Sequence, residues 1–206
     1  MATINAVVQN STSDQGEQFE GGTSVDTNPG PDNPFAIGTG TAASSPDRHH
    51  AFRFQLPTIA SGDTVDDATF TLTKSGGEWK TWQVTFYLEA ADNSASIATG
   101  SISGRTLTTS NVNNNTNVNH TDGSTFTVDL TAALQEVIDR AGWSASNYVS
   151  VICVGDGASN FANKSWHSYG SGTSGQRPTL DVTYTASGGG GGGPTPLPIY
   201  NRRRAA

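Results

Sequence analysis

The chain has 206 residues, of which 33% are hydrophobic and 14% charged, and its formal net charge is −7. So few charges argue against disorder driven by self-repulsion, and so modest an apolar share suits many short strands joined by polar loops around one core. Arg202, Arg203 and Arg204 sit together at the end, so the remainder carries −10. An acidic body argues against a general nucleic-acid binder, and no apolar run reaches the roughly 18 residues that a membrane helix needs.

Met1–Asn5 shows no basic start and no apolar run, so no secretory signal is visible. Ile4–Val8 then reads as a strand. Residues 10–34 form a long loop punctuated by Gly21-Gly22, Asn28-Pro29-Gly30-Pro31 and Asn33-Pro34, with room for one or two short strands. From His50 the residues Phe52, Phe54 and Leu56 alternate with Arg53 and Gln55 as one inward face, and Pro57 ends that strand. Ala68, Phe70 and Leu72 alternate with threonines in Val65–Thr73, and Trp82, Val84, Phe86 and Leu88 repeat the pattern after Ser75-Gly76-Gly77. Three alternating strands in succession point to an antiparallel sandwich.

Residues 91–122 are thin in apolar side chains and carry six asparagines between Asn111 and Asn119. They read as a polar, solvent-facing excursion, with weak edge strands expected at 98–102 and 117–120. From Thr125 to Trp143 the period changes: Phe126, Val128 and Leu130 alternate, and then Leu134, Val137, Ile138 and Ala141 recur at helical spacing. This predicts a strand running into a short helix near 130–141, capped by the Thr131 hydroxyl, with Asp129 at its positive end and Arg140 and Gly142 at its stop. Tyr148–Val154 is apolar on both faces apart from Ser150, as a central strand covered on both sides would be, one cover being the helix. A strand over 164–169 and a last strand with Leu180, Val182 and Tyr184 close a domain at residues 1–187.

Residues 188–193 are six consecutive glycines, a composition that forms no packed structure and acts as a flexible linker. The arm that follows, 194–206, begins with an extended Pro-Thr-Pro-Leu-Pro run and ends in three arginines. A spacer, the apolar anchors Leu197, Ile199 and Tyr200, and the cluster Arg202, Arg203 and Arg204, opposite in sign to the body, make a tethered docking peptide.

Phe52-Arg53-Phe54-Gln55-Leu56, Val65–Leu72, Val128-Asp129-Leu130-Thr131 and Arg177–Tyr184, in that order, resemble the DNRLRE-type β-sandwich domains, which look like jelly rolls and occur in bacterial surface proteins and virus particles. The resemblance covers residues 50–185. Where that family often carries an Arg-Glu pair, this chain has Asn163-Lys164-Ser165-Trp166-His167. The resemblance implies an all-β, jelly-roll-like sandwich at a particle or cell surface and implies no enzyme.

Candidate sites are few. Cys153 has no partner for a disulfide and reads as a buried core residue. His49 and His50 are adjacent on a strand, so they point to opposite faces and cannot chelate one ion as a pair; they read as surface histidines. His120 and His167 have no carboxylate at ligand spacing. Asp156-Gly157-Ala158-Ser159-Asn160 carries oxygens that Ca²⁺ could use but lacks the acidic alternation of an EF-hand, so an ordinary turn is preferred and no cofactor or metal is assigned. Asp66 and Asp67 lie on opposite faces and cannot flank a glycosidic bond, and no Gly-x-Ser-x-Gly elbow precedes a helix, so no catalytic residue is named. Trp79, Trp166 and Tyr169 are the candidates for stacking a sugar ring, whereas Trp82 faces inward.

The expectation is a non-enzymatic structural protein of a bacteriophage virion, decorating the capsid or associated with the tail, that docks through its C-terminal arm and is oligomeric when assembled. Its partners would be other virion or surface-assembly subunits, with neither nucleic acid nor membrane involved. The alternatives are a carbohydrate- or cell-surface-binding module and a subunit of a bacterial surface layer or filament.

Overall fold

The computed structural model describes residues 1–9, 13–19, 22, 24–26, 35–38, 47–78, 82–98, 100–116, 120–155, 163–169 and 173–187. Among these residues eleven strands and one α-helix follow in order: β1 Ala2–Val7, β2 Gln15–Phe19, β3 Phe35–Gly38, β4 Arg48–Gln55, β5 Thr64–Glu78, β6 Trp82–Leu88, β7 Val112–Thr116, β8 Thr125–Asp129, α1 Thr131–Ile138, β9 Tyr148–Gly155, β10 Asn163–Trp166 and β11 Thr179–Thr185. All pairings are antiparallel. The first sheet runs β1-β11-β5-β8 and the second β10-β3-β4-β9-β6-β7, with β2 paired to β4 on the edge that β9 leaves. The result is an all-β sandwich with one short helix, as the alternation predicts.

β5 belongs to both sheets. Its 15 residues pair with β11 and β8 through Thr73, and beyond that point Lys74 and Glu78 pair with β10. Gly76, at φ +51°, lies in the stretch where the strand changes partners, a conformation that glycine adopts without a Cβ penalty. Lys74 is fully buried there and donates its ammonium to the Gly76 carbonyl.

The alternating aromatics meet between the sheets. Phe52, Phe54, Phe70 and Phe86 are all 0% exposed, and the Phe70 ring lies 5.6, 6.0 and 6.2 Å from Phe52, Phe54 and Phe86 respectively. Phe70 therefore ties β5 of the first sheet to β4 and β6 of the second. Burial of each such side chain contributes about 1.5–3 kcal/mol, before the specific ring geometry is counted.

The helix buries Ala133, Leu134, Val137 and Ile138 and packs against β5 and β6, one strand from each sheet. Its start differs from the expectation. Leu130 is the capping residue and gives no side-chain cap; the Thr131 hydroxyl instead accepts the Ala68 N–H at 2.9 Å, and Gln135 Oε1 accepts the Val65 N–H at 2.8 Å. β8 pairs with β5 only as far as Thr69, so these two helix side chains take over where the strand stops and satisfy donors that the ladder has left. Asp129 accepts the Thr131 N–H at 2.9 Å, and the hydroxyl and N–H of Thr131 hold its carboxyl below the ordinary range. The helix ends at Ile138, before Gly142, and that glycine has another use: a Cβ there would collide with the Asp92 carboxylate, which pairs with Arg140 at 2.7 Å.

Residues 15–19 of the long loop form β2, a short strand of the kind expected there, with a further bridge from Glu17 to Asp26. Two other expectations change. Within 91–122, among the described residues, a strand lies at 112–116 and residues 98 and 100–102 are not strand, while 117–119 lie outside the described residues. Most of the described stretch is at least partly exposed, but Ile97 and Ile102 are buried, so it also forms a flap over the second sheet. β9 lies between β4 and β6 as a central strand. Its Val149, Val151 and Cys153 join the main core, and Ile152 packs outward with Ala51, Ile97 and Ile102. The second cover of β9 is therefore the flap, because the helix buries its apolar face in the main core.

Candidate functional site

The final strand ends in a clasp. Asp63, just before β5, accepts the Ser187 N–H at 2.8 Å and its hydroxyl at 3.1 Å with one carboxylate oxygen, and the Ala60 N–H at 2.8 Å with the other. Although burial pushes its carboxyl up, the N–H groups of Ala60 and Ser187 and the Ser187 hydroxyl outweigh that and hold it below the usual carboxylate range. The chain is thus fastened to the sandwich at the residue before the glycine run begins. Leu197, Ile199, Tyr200, Arg202, Arg203 and Arg204 lie outside the described residues, as do Trp79, the side chain of Trp82 and the loop Asp156–Asn160.

The two aromatic candidates among the described residues, Trp166 and Tyr169, do not form an exposed platform. Trp166 is 0% exposed, with its ring 5.6 Å from His120 and 5.8 Å from Phe126. A ring enclosed in this way offers no face to a sugar, which corrects the expectation for Trp166. The alternation explains it: Trp166 lies opposite Lys74 and Phe35 in β10, on a strand joining both sheets. Tyr169 is partly buried against the core, donates its N–H to Gln15 Oε1 at 2.8 Å, and carries the Arg177 guanidinium 4.1 Å from its ring centroid. One face of that ring already has a cation on it.

His49 and His50 are both buried, not surface residues. His50 Nε2 lies 3.2 Å from Glu17 Oε2, and Arg48 Nη1 meets Glu17 Oε1 at 2.8 Å. Burial raises the Glu17 pKa, but His50 and then Arg48 overcome it, so the carboxyl is held below its ordinary value. Glu17, His50 and Cys153 are register neighbours across β2, β4 and β9 and share one face. The Cys153 thiol is fully enclosed and pushed up by burial, so at neutral pH it is a packed thiol, not a thiolate. What the row accomplishes is to fasten β2 onto β4.

A second polar array lies on the other face of the same sheet. Arg105 Nη1 meets Glu89 Oε2 at 2.5 Å, and Nη2 donates to the Ser96 carbonyl at 3.0 Å. Ser94 Oγ contacts both Glu89 and Ser150, the latter at 2.5 Å. Arg53 donates to Asp14 at 2.8 Å and to the Ser94 carbonyl at 3.0 Å, while its guanidinium lies 3.5 Å over the Tyr148 ring. These groups hold the flap down, and nothing in their spacing along the chain announces it. Among the described residues no group of three or more His, Cys, Asp or Glu side chains is arranged to hold a metal ion. No family model matches the chain, and no curated protein matches it.

Proposed function

We propose that the protein is a non-enzymatic structural subunit of a bacteriophage particle, in which the sandwich is the rigid body and the C-terminal arm is the docking element. The clasp of Ser187 by Asp63 carries this reading: a segment held by two hydrogen bonds immediately before six glycines is a fixed root for a tether. A run of that length spans a root-mean-square distance of about 12–15 Å, enough to reach an adjoining subunit. Beyond it, Leu197, Ile199 and Tyr200 supply apolar area, and three arginines supply charge opposite to that of the body.

Deleting residues 194–206 tests the reading. The truncated protein is expected to melt as the full chain does, because no described contact is lost, and to fail to join particles or multimers. A truncated protein that assembles as well as the full chain would overturn the docking role.

A further inference from the structure

We propose that the open edge of β1 is the receptor for the arm, and that it takes Pro194–Ile199 of a second copy of the chain as an added strand. This rests on the reading of the arm as a docking element and names its partner and its seat. β1 ends the first sheet, and among the described residues only β11 pairs with it. The Val8 N–H donates to the Pro178 carbonyl, so by alternation Ala6, Ile4 and Ala2 turn their backbone groups toward β11. Thr3, Asn5 and Val7 then turn theirs to the open side, where Gln9 caps one of them by donating to the Val7 carbonyl at 2.9 Å. Alongside lies a cleft of about 290 Å³, bounded by Ile4–Val7 and Gln9 and, across it, by Gln55 and Pro57. Four consecutive residues of β1 line it, which suits an extended peptide.

The arm is written for one-sided pairing. Prolines occupy positions 194, 196 and 198, every second residue, and Thr195, Leu197 and Ile199 stand between them. In an extended chain the backbone groups of alternate residues point the same way, so all three remaining N–H groups lie on one edge and the other edge has none. Such a strand can pair only once, and the sheet ends at it.

The side chains select the direction. In a parallel pair a residue that turns its backbone to the neighbour lies beside one that turns away. Asn5 would therefore stand beside Pro196, with Leu197 beside Ala6 and Thr195 beside Ile4. Ile4 and Ala6 are the buried face of β1. Parallel entry thus places Leu197 and Ile199 on the core side, next to the cleft, and leaves the prolines outward. Antiparallel entry would put the prolines in and the apolar side chains out. Each subunit offers both an edge and an arm, so the contact serves a pair that exchanges arms as well as a head-to-tail chain.

The test uses the full-length protein with Asn5→Cys and Pro196→Cys, oxidised and run on a non-reducing gel, beside Asn5→Pro and the 194–206 deletion. Disulfide-linked multimers are expected from the cysteine pair. Asn5→Pro removes an N–H that the β1–β11 ladder does not use, so it should fold with an unchanged circular dichroism spectrum yet lose multimers as the deletion does. A link confined to monomers would overturn the proposal, because the arm would then lie on its own β1. No link, or an Asn5→Pro protein that multimerises like the parent, would also overturn it. If either happens while the deletion still abolishes assembly, the arm docks elsewhere and only its seat is wrong. If the deletion assembles normally, the docking role itself falls.

Discussion

The two faces of the second sheet are held by different means. Its inner face meets the first sheet through rings and aliphatic side chains that are almost all fully buried, with Phe70 touching Phe52, Phe54 and Phe86. Its outer face has, among the described residues, Ala51, Ile97, Ile102 and Ile152 as its buried cluster, and the flap above them is fastened by Arg105, Glu89, Ser94, Ser150, Arg53 and Asp14. Buried apolar area is spread over many residues, whereas a polar network concentrates its contribution in a few partners. The inner face should therefore fail only with the whole fold, and the outer face should be able to open alone.

The strongest way to break the inner face is to place a charge in it. Leu134→Asp or Val137→Asp buries a carboxylate without a partner beneath the helix, at a cost of several kcal/mol out of a total of about 5–15 for a domain. The expected result is loss of the cooperative thermal transition by circular dichroism. Phe70→Ala is the next largest change. It removes the ring shared by the two sheets and should cost about 3–5 kcal/mol, seen as a lower urea midpoint with an unchanged slope.

Arg105→Ala separates the faces most directly. It strands the Glu89 carboxylate and should cost about 3 kcal/mol, near the low end for breaking a buried pair, because Glu89 keeps some access to water. Hydrogen exchange should show faster exchange across the flap at residues 94–107 while β5 and β9 keep their protection. Equal loss of protection in β5 would mean that the two faces form one cooperative unit.

The same contrast sets what could be read from the sequence. Phe52, Phe54, Phe70, Leu72, Val84 and Phe86 announce the sandwich because a strand with one buried face must alternate, and Leu134, Val137 and Ile138 announce the helix by the change of period. Arg105, Glu89 and Ser94 give no such signal. Their partnership depends on how a loop returns over β9, and polar residues in a loop look alike whether they face water or one another. The position of β2 within its loop was hidden for a related reason: Gln15, Glu17 and Gln18 look like loop composition, yet Glu17 is spent on Arg48 and His50. Trp166 shows the converse, an aromatic in a Ser/Gly-rich setting that is enclosed because its strand joins both sheets. Of the candidate docking site, the arm's composition was legible, whereas the Asp63 clasp at its root depends on residues brought together only by the fold.

The smallest effect concerns β2, the strand whose position the sequence did not mark, and it depends on pH. Glu17 titrates below its ordinary 4.5 in the folded protein because the favourable charges of His50 and Arg48 exceed the cost of burial. A carboxyl whose folded pKa lies below its unfolded one contributes stability that is present above the unfolded value and is lost as pH falls through the folded one. Glu17→Gln should therefore cost about 1–2 kcal/mol at pH 7, the scale of one charge-assisted hydrogen bond, with little change in the main core. The gap between parent and variant should narrow on acidification below about pH 4.5 and close once the parent's Glu17 is also neutral. A pair of denaturation curves at pH 7 and pH 3 measures this. A gap that stays constant would mean that Glu17 holds β2 by its shape and not by its charge, so that the strand's attachment would resemble the inner face of the sheet more than the outer.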